Sequence, residues 1–435
     1  MQITDLLLLL FKGVAVASFP LLLVWAGVAK RRGDDRLRRL AWVTAFFTFD
    51  LIVFGGFTRL SDAGLGCPDW PGCYAKASPL MAATDIRNAE ALIPTGPVTM
   101  TKAWIEMIHR YLAMGVGVLI IVLLAWSVVR WRRNARADRA ARPASPGLVL
   151  ALLALVCAQG AFGAWTVTMK LQPVIVTTHL LLGMTLLATL VWHALRLGNA
   201  TAVDGAHGVP EGGRGVRALA VVGAVVLAIQ IALGGWVSTN YAVLACADFP
   251  LCQGALVPEM DFANGFHLWR ELGKTGDGAN LGLSALTAIH WVHRGFSLLV
   301  FALLGALSWR AWTVPALKKP ALFLAVVLAA QFATGLVNVV YAWPLAAAVL
   351  HNAGTAALVA VLLVLNYKAA STARSSRAPQ GATLSSRRPP VLREPQRAEP
   401  TLHPNKPADP LTNRDSRCNT PLSLRLPPSS RSITR

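Results

Sequence analysis

Charge is scarce in this chain, and acid is scarcer still. Of 435 residues only 14% are charged, and 21 Asp and Glu stand against 41 Lys and Arg. A soluble domain carries roughly a quarter charged residues, so that class is excluded. With 54% hydrophobic residues, the composition is that of a membrane protein. Also missing is a basic stretch ahead of the first apolar run, "LLLLLFKGVAVASFPLLLVWAGVA", which stays apolar too long for a signal peptide. No Arg- and Ser-rich transit peptide opens the chain, which favours a bacterial inner membrane over a mitochondrial one. The six cysteines include no CxxC pair.

What is present is a series of long apolar runs. A span needs ~20 residues, and runs of that order fall near 5–29, 38–60, 104–129, 147–168, 174–195, 217–238, 283–308, 320–341 and 345–367. The net charge of +20 resembles a nucleic-acid signature, but its placement excludes that partner. Basic residues crowd alternate loops: Lys30, Arg31, Arg32, Arg36, Arg38 and Arg39, then Arg130, Arg132, Arg133, Arg136 and Arg139. Smaller groups follow at Arg214 with Arg217 and at Lys318 with Lys319. The intervening loops, 61–103 and 239–282, hold Asp62, Asp69, Asp85, Glu90, Asp248, Glu259 and Asp261. The positive-inside rule therefore puts the basic loops in the cytoplasm and the other two outside.

Those two outer loops carry the same unusual design. "GLGCPDWPGC" places Cys67 and Cys73 six apart, and "VLACADFPLC" does the same with Cys246 and Cys252. Gly55-Gly56 matches Gly234-Gly235 at the same offset of 179 as the cysteines. "EMIHRY" faces "HWVHRG", pairing His109 with His293, while Gln159 matches Gln331 and His179 matches His351, both 172 apart. The chain is a duplication. Four helices per copy is an even number, so both copies enter the membrane in the same sense, related by an axis along its normal.

The expected fold is an all-α integral membrane protein: two tandem parallel four-helix bundles forming an eight-helix core, an extra N-terminal helix and a disordered C-terminal tail. The boundaries are 1–37 for the extra helix and its basic loop, 38–198 for the first repeat and 199–216 for a cytoplasmic linker. The second repeat runs over 217–369, and a basic, Pro- and Ser-rich tail over 370–435. Cys157 is expected in the core, and Cys418 in the tail as an idle thiol.

Four histidines at matched places, His109 and His179 in one bundle and His293 and His351 in the other, are costly inside a span and point to metal ligation. Two neutral imidazoles from facing helices suit the axial positions of haem iron; a closed zinc site wants four ligands. Glu106, one turn before His109, has His290 as its counterpart, so the halves differ beside the first iron site. The other reading of Glu106 is a helix-start acid favoured by the macrodipole. Arg59, Arg110 and Arg294 read as partners of haem propionates; for Arg110 and Arg294, helix-packing carbonyls are the other reading.

"RLSDAGLGCPDWPGC", "EMIHR", the four matched histidines and the second cysteine loop together resemble haem A synthase, the CtaA family, over residues 38–367. The resemblance implies an oxidoreductase that takes the C8 methyl of haem O to a formyl by successive hydroxylations, giving haem A for terminal oxidases. It implies that His109 and His179 flank the substrate iron in the first half and that His293 and His351 ligate haem b in the second. Glu106 matches the family's acidic residue, either stabilising a carbocation at the methyl carbon or moving its protons. Cys67–Cys73 and Cys246–Cys252 are expected as disulfides in an oxidising compartment, clipping lids over the haem sites; redox exchange at the first pair is the sharper alternative. Haem O synthase, oxidase assembly factors and a second copy of the chain are the open partners. The competing readings are a dihaem b-type membrane cytochrome exchanging electrons with quinone, and a transporter built from parallel repeats.

Overall fold

The computed structural model describes residues 1–26, 33–136, 146–199 and 213–375. Lys30, Arg31, Arg32 and Arg139 of the basic loops, most of the linker and the tail beyond 375 with Cys418 lie outside these. The chain is helical: α1 (Ile3–Ala26), α2 (Gly33–Leu60), α3 (Ala83–Leu92), α4 (Met100–Arg136), α5 (Gly147–Thr168), α6 (Pro173–Asn199), α7 (Gly213–Thr239), α8 (Phe262–Gly265), α9 (Leu283–Trp312), α10 (Lys318–Val340) and α11 (Leu345–Ser375). Nine helices among the described residues are long and apolar enough to cross a membrane, at the nine places the hydropathy runs predict. The protein is a multi-pass, all-α membrane protein. The short α3 and α8 in the outer loops carry no apolar run and were not expected.

Local chemistry explains the regularity. In lipid every backbone polar group must find its partner within the helix, and side-chain hydroxyls do likewise: Thr44 donates to the Leu40 carbonyl and Thr48 to that of Thr44, both at 2.8 Å. Pro173 opens α6 and Pro344 sits immediately before α11, where a missing N–H costs nothing. The α5–α6 and α10–α11 turns are repeat copies. Lys170 and Leu171 have φ of 48° and 60°, and Ala342 and Trp343, each 172 later, have 52° and 66°.

Helices α2, α4, α5 and α6 each pack on the next to close a ring of four, and α7, α9, α10 and α11 do the same. The two rings meet where α11 packs on α2 and where α6 packs on α7 and α11. One apolar core runs through both rings, from Leu119 and Leu187 to Leu304 and Leu365. Repeat-equivalent residues touch one another only on the axis relating the copies, and three such contacts mark it. Arg59 donates to the Ser238 carbonyl at 2.6 Å and Tyr241 Oη donates to Asp62 at 2.6 Å, both 179 apart; Tyr367 Oη reaches the Leu195 carbonyl at 3.3 Å, 172 apart.

Helix α1 packs outside the first ring, on α4 and α2. Small residues let it approach closely: a Cβ added at Gly115 would lie 2.6 Å from Val16 Cγ1, and one at Gly13 would lie 2.8 Å from Met114 Cβ. Its opposite face exposes Leu7, Phe11, Phe19 and Leu22, as a lipid-facing surface does. Its polar residues grip the first outer loop at one point. Lys12 Nζ donates to the Ala77 carbonyl at 2.9 Å and lies 3.2 Å from Tyr111 Oη, while Asp5 accepts the Ala77 N–H at 3.1 Å. Lys12→Met removes that anchor, so thermal unfolding in detergent should show a loss of about 1 kcal/mol.

Candidate functional site

Each cysteine loop is built from the same four devices. Cys67 is bonded to Cys73 with Cα atoms 4.9 Å apart, and Cys246 to Cys252 at 4.6 Å. A two-bond bridge follows each, Cys73 with Lys76 and Cys252 with Ala255. Between them two successive left-handed residues turn their amides the same way, and an aspartate accepts both. Asp69 takes Tyr74 N at 2.7 Å and Ala75 N at 2.6 Å; Asp248 takes Gln253 N at 2.7 Å and Gly254 N at 2.8 Å. The Gly254 amide, with that of Gln253, holds the Asp248 carboxyl below the usual carboxylate range.

An arginine then ties each loop to the helix below. Arg110 on α4 donates to the Asp69 carbonyl at 2.8 Å, to that of Pro71 at 3.3 Å and to that of Gly72. Arg294 on α9 donates to Leu251 and Cys246 carbonyls, both at 2.8 Å. Backbone carbonyls, the second of the two readings, therefore occupy Arg110 and Arg294. Arg59 is held at the repeat axis, 4.1 Å over the Tyr241 ring. At the same axis Asp62 is pushed up by burial, but Tyr241, Lys102 and Arg59 together bring it below its ordinary value.

Under the loops lies a cavity of about 710 Å³ lined by both rings, within the range of cofactor sites of roughly 300–1,000 Å³. His109, His179, His293 and His351 all line it, with Glu106 and His290. So do Trp70 and Phe249, repeat equivalents contributed by the two loops. Every one of the four imidazoles lies against a glycine of the neighbouring helix. A Cβ added at Gly55 or Gly234 would sit 2.9 Å from Cε1 of His109 or His293. At Gly163 the distance to Cε1 of His179 would be 3.2 Å, and at Gly335 that to Cε1 of His351 would be 3.3 Å. An added Cβ would be tightest at Gly55 and Gly234, where the ring or the helix would have to shift, and at Gly163 and Gly335 the imidazole would have to give by a few tenths of an ångström.

No group of three or more His, Cys, Asp and Glu forms a metal cluster among the described residues. Two imidazoles per ring, cradled and facing a shared cavity, fit the axial positions of a haem iron and do not fit a closed four-ligand zinc site.

The halves part company beside the first pair. Glu106 is buried and held at both oxygens, accepting from Arg110 Nη2 at one and from the Cys67 N–H, at 2.8 Å, at the other. It does not serve as a helix-start acid: its partners are the loop and Arg110. His290 takes its place in the second ring, buried, with Nδ1 lacking a hydrogen-bond partner. Cys157 corrects the expectation of a core position. It is exposed and lines the cavity, because α5 sits at the rim of its ring, with few of its residues buried.

A family model described as cytochrome oxidase assembly protein matches residues 38–363. The chain belongs to this family. Curated members similar to it include the haem A synthase of Shewanella oneidensis, 37% identical over 343 residues, covering 77% of this chain and 99% of that one. The haem A synthase of Sphingopyxis alaskensis is 32% identical over 358 residues, 77% of this chain and 92% of that one. The family match takes in both cysteine loops and all four histidines, and leaves α1 outside it.

What sequence reasoning missed are the anchoring roles of Asp69, Asp248, Arg110 and Arg294, and the glycine cradles. The repeat offsets were the available signal, since each of these residues has a matched copy. The Asp248 turn has a pH signature. Its folded-state carboxyl titrates lower than in the unfolded chain, so its stabilising effect is complete above the ordinary value of 3.8 and is lost as pH falls through the lower, folded one. Hydrogen exchange over residues 248–255, corrected for intrinsic rates, should quicken only below about pH 4; in Asp248→Asn it should be fast at every pH.

Proposed function

We propose that this chain is a haem A synthase, an oxidoreductase that converts haem O to haem A for cytochrome oxidase. Family membership supports the activity. The observation that carries the site is the set of four repeat-matched histidines, each cradled by a glycine around one cavity, with a fixed carboxylate in the first ring alone.

Residues 38–198 take the substrate haem, between His109 and His179. In residues 217–369, His293 and His351 would hold haem b. Haem b, when bound, supplies electron transfer to and from the substrate site. The protein's own contribution is position. Paired imidazoles orient the macrocycle within the ring of helices, and the loop carrying Trp70 and Pro71 covers the cavity on one side. Glu106 projects from the same face of α4 as His109, one turn away. Held by Arg110 and the Cys67 amide, it places a carboxylate where positive charge develops as the C8 methyl is oxidised, by successive hydroxylations, to the formyl. A side chain tethered at both oxygens suits electrostatic stabilisation better than carrying protons over a distance. The cysteine loops lie on the periplasmic side of a bacterial inner membrane, supported by the basic residues in the alternate loops, and their disulfides clip the lids.

Membranes carrying the full chain with a haem O synthase should yield haem A, or a hydroxylated intermediate, on haem extraction and chromatography. Glu106→Ala should lower that yield about 100-fold or more, with the bis-histidine spectrum retained. Haem B and unmodified haem O alone, from a folded protein with that spectrum intact, would instead support a dihaem electron carrier.

A further inference from the structure

The two rings differ behind the histidines as well as in front of them. On α10, the Thr334 hydroxyl lies 2.9 Å from the Ala330 carbonyl and 3.0 Å from Nδ1 of His351. A hydroxyl has one proton to give. Donated to a backbone carbonyl, it leaves the oxygen as acceptor, so the proton shared with His351 belongs to Nδ1. The neutral imidazole then carries its lone pair on Nε2, the nitrogen left for iron. The carbonyl of His351 is held too, accepting from Thr355 at 3.0 Å, which in turn accepts from Gln331 at 2.8 Å.

The first ring holds the carbonyl alone: Gln159, the copy of Gln331, donates directly to that of His179 at 3.0 Å, and the Nδ1 brace has no counterpart. The position equivalent to Thr334, 172 earlier, is Phe162, and that of Thr355 is Gly183. Nδ1 of His179 is buried with no hydrogen-bond partner. The other histidine pair repeats the contrast. Gln230 donates its amide N–H to the His293 carbonyl at 3.2 Å and sets the same nitrogen, a donor only, 3.1 Å from Nδ1, which holds the ring but leaves no acceptor for an Nδ1 proton. Leu51 stands at the equivalent place, 179 earlier, and Nδ1 of His109 is likewise buried and unpartnered.

We propose that Thr334 is a positioning residue that makes the second ring the site of permanent haem retention. By fixing the tautomer and rotation of His351, it holds Nε2 ready for iron and strengthens the imidazole as a donor. The histidines of the first ring, with no such brace, hold a haem that must leave once oxidised. This rests on the assignment of haem b to the second ring. It adds the reason that two superficially identical bis-histidine sites differ in exchange: polar side chains in one stand where Phe162 and Leu51 stand in the other.

The test uses the full-length protein purified with its haem. Transfer of haem b to excess apomyoglobin and the midpoint potential of the retained haem are measured for wild type, Thr334→Val, Thr334→Ser and Thr334→Ala. Thr334→Val should lose haem b about tenfold faster than wild type, with a raised midpoint potential, because an imidazole without its Nδ1–H acceptor stabilises ferric iron less. Thr334→Ser, which keeps the hydroxyl, should restore both quantities. Wild-type transfer rate and potential in Thr334→Val would overturn the proposal. Should that variant not accumulate, Thr334→Ala carries the same two outcomes. His351→Ala and His179→Ala separate the underlying assignment. Full haem b in the former with loss in the latter would overturn the placement of haem b; loss in His351→Ala with an unchanged Thr334→Val would overturn the role of Thr334 alone.

Discussion

A flat imidazole edge pressed against a neighbouring glycine, four times over, is the contact on which the architecture depends. It sets how closely α2 approaches α4, α5 approaches α6, α7 approaches α9 and α10 approaches α11. A Cβ at any of these glycines would push either the ring or the helix away. In a membrane, where neighbouring helices gain little from apolar contact alone, close approach at small residues is what holds helices together. The same contact that packs each ring therefore orients its histidines, and binding geometry and stability cannot be varied separately there.

The cysteine loops are tied to this frame by arginine hydrogen bonds as well as by apolar burial. Arg110 and Arg294 gather carbonyls that the tight disulfide turns leave without internal partners. Buried backbone carbonyls need such partners. In the first half the arginine is also paired with Glu106, which takes the Cys67 amide, so the lid, the arginine and the carboxylate form one connected unit. In the second half His290 replaces the acid and this connection is absent. The two rings thus differ on both sides of their histidines: an acid stands beside one pair, and Thr334 and Gln230 stand behind the other.

Much of this was legible in residue order. Nine apolar runs gave the spans to within a few residues, since hydropathy over ~20 residues is a strong and local signal. Matched spacings gave the duplication, the four histidines and both cysteine pairs. Burial was less legible: Cys157 reads as core from its apolar neighbours, yet faces the cavity, because an apolar helix in lipid carries no periodic mark of which side is inside. Arg110 and Arg294 were ambiguous for a related reason. A guanidinium reaches several ångströms, and nothing in the sequence says whether a carbonyl or a ligand will be there.

The sequence by itself determined the membrane class, the repeat and the identity of the residues that matter, because each is written in composition or in a fixed offset. Only the tertiary structure decided that four glycines cradle four imidazoles, that Glu106 is tethered to the first cysteine loop, and that Thr334 meets Nδ1 of His351 where Phe162 leaves that of His179 without a partner. Those facts join residues on different helices, and hydrogen-bond partners at 3 Å across a helix interface have no signature along the chain.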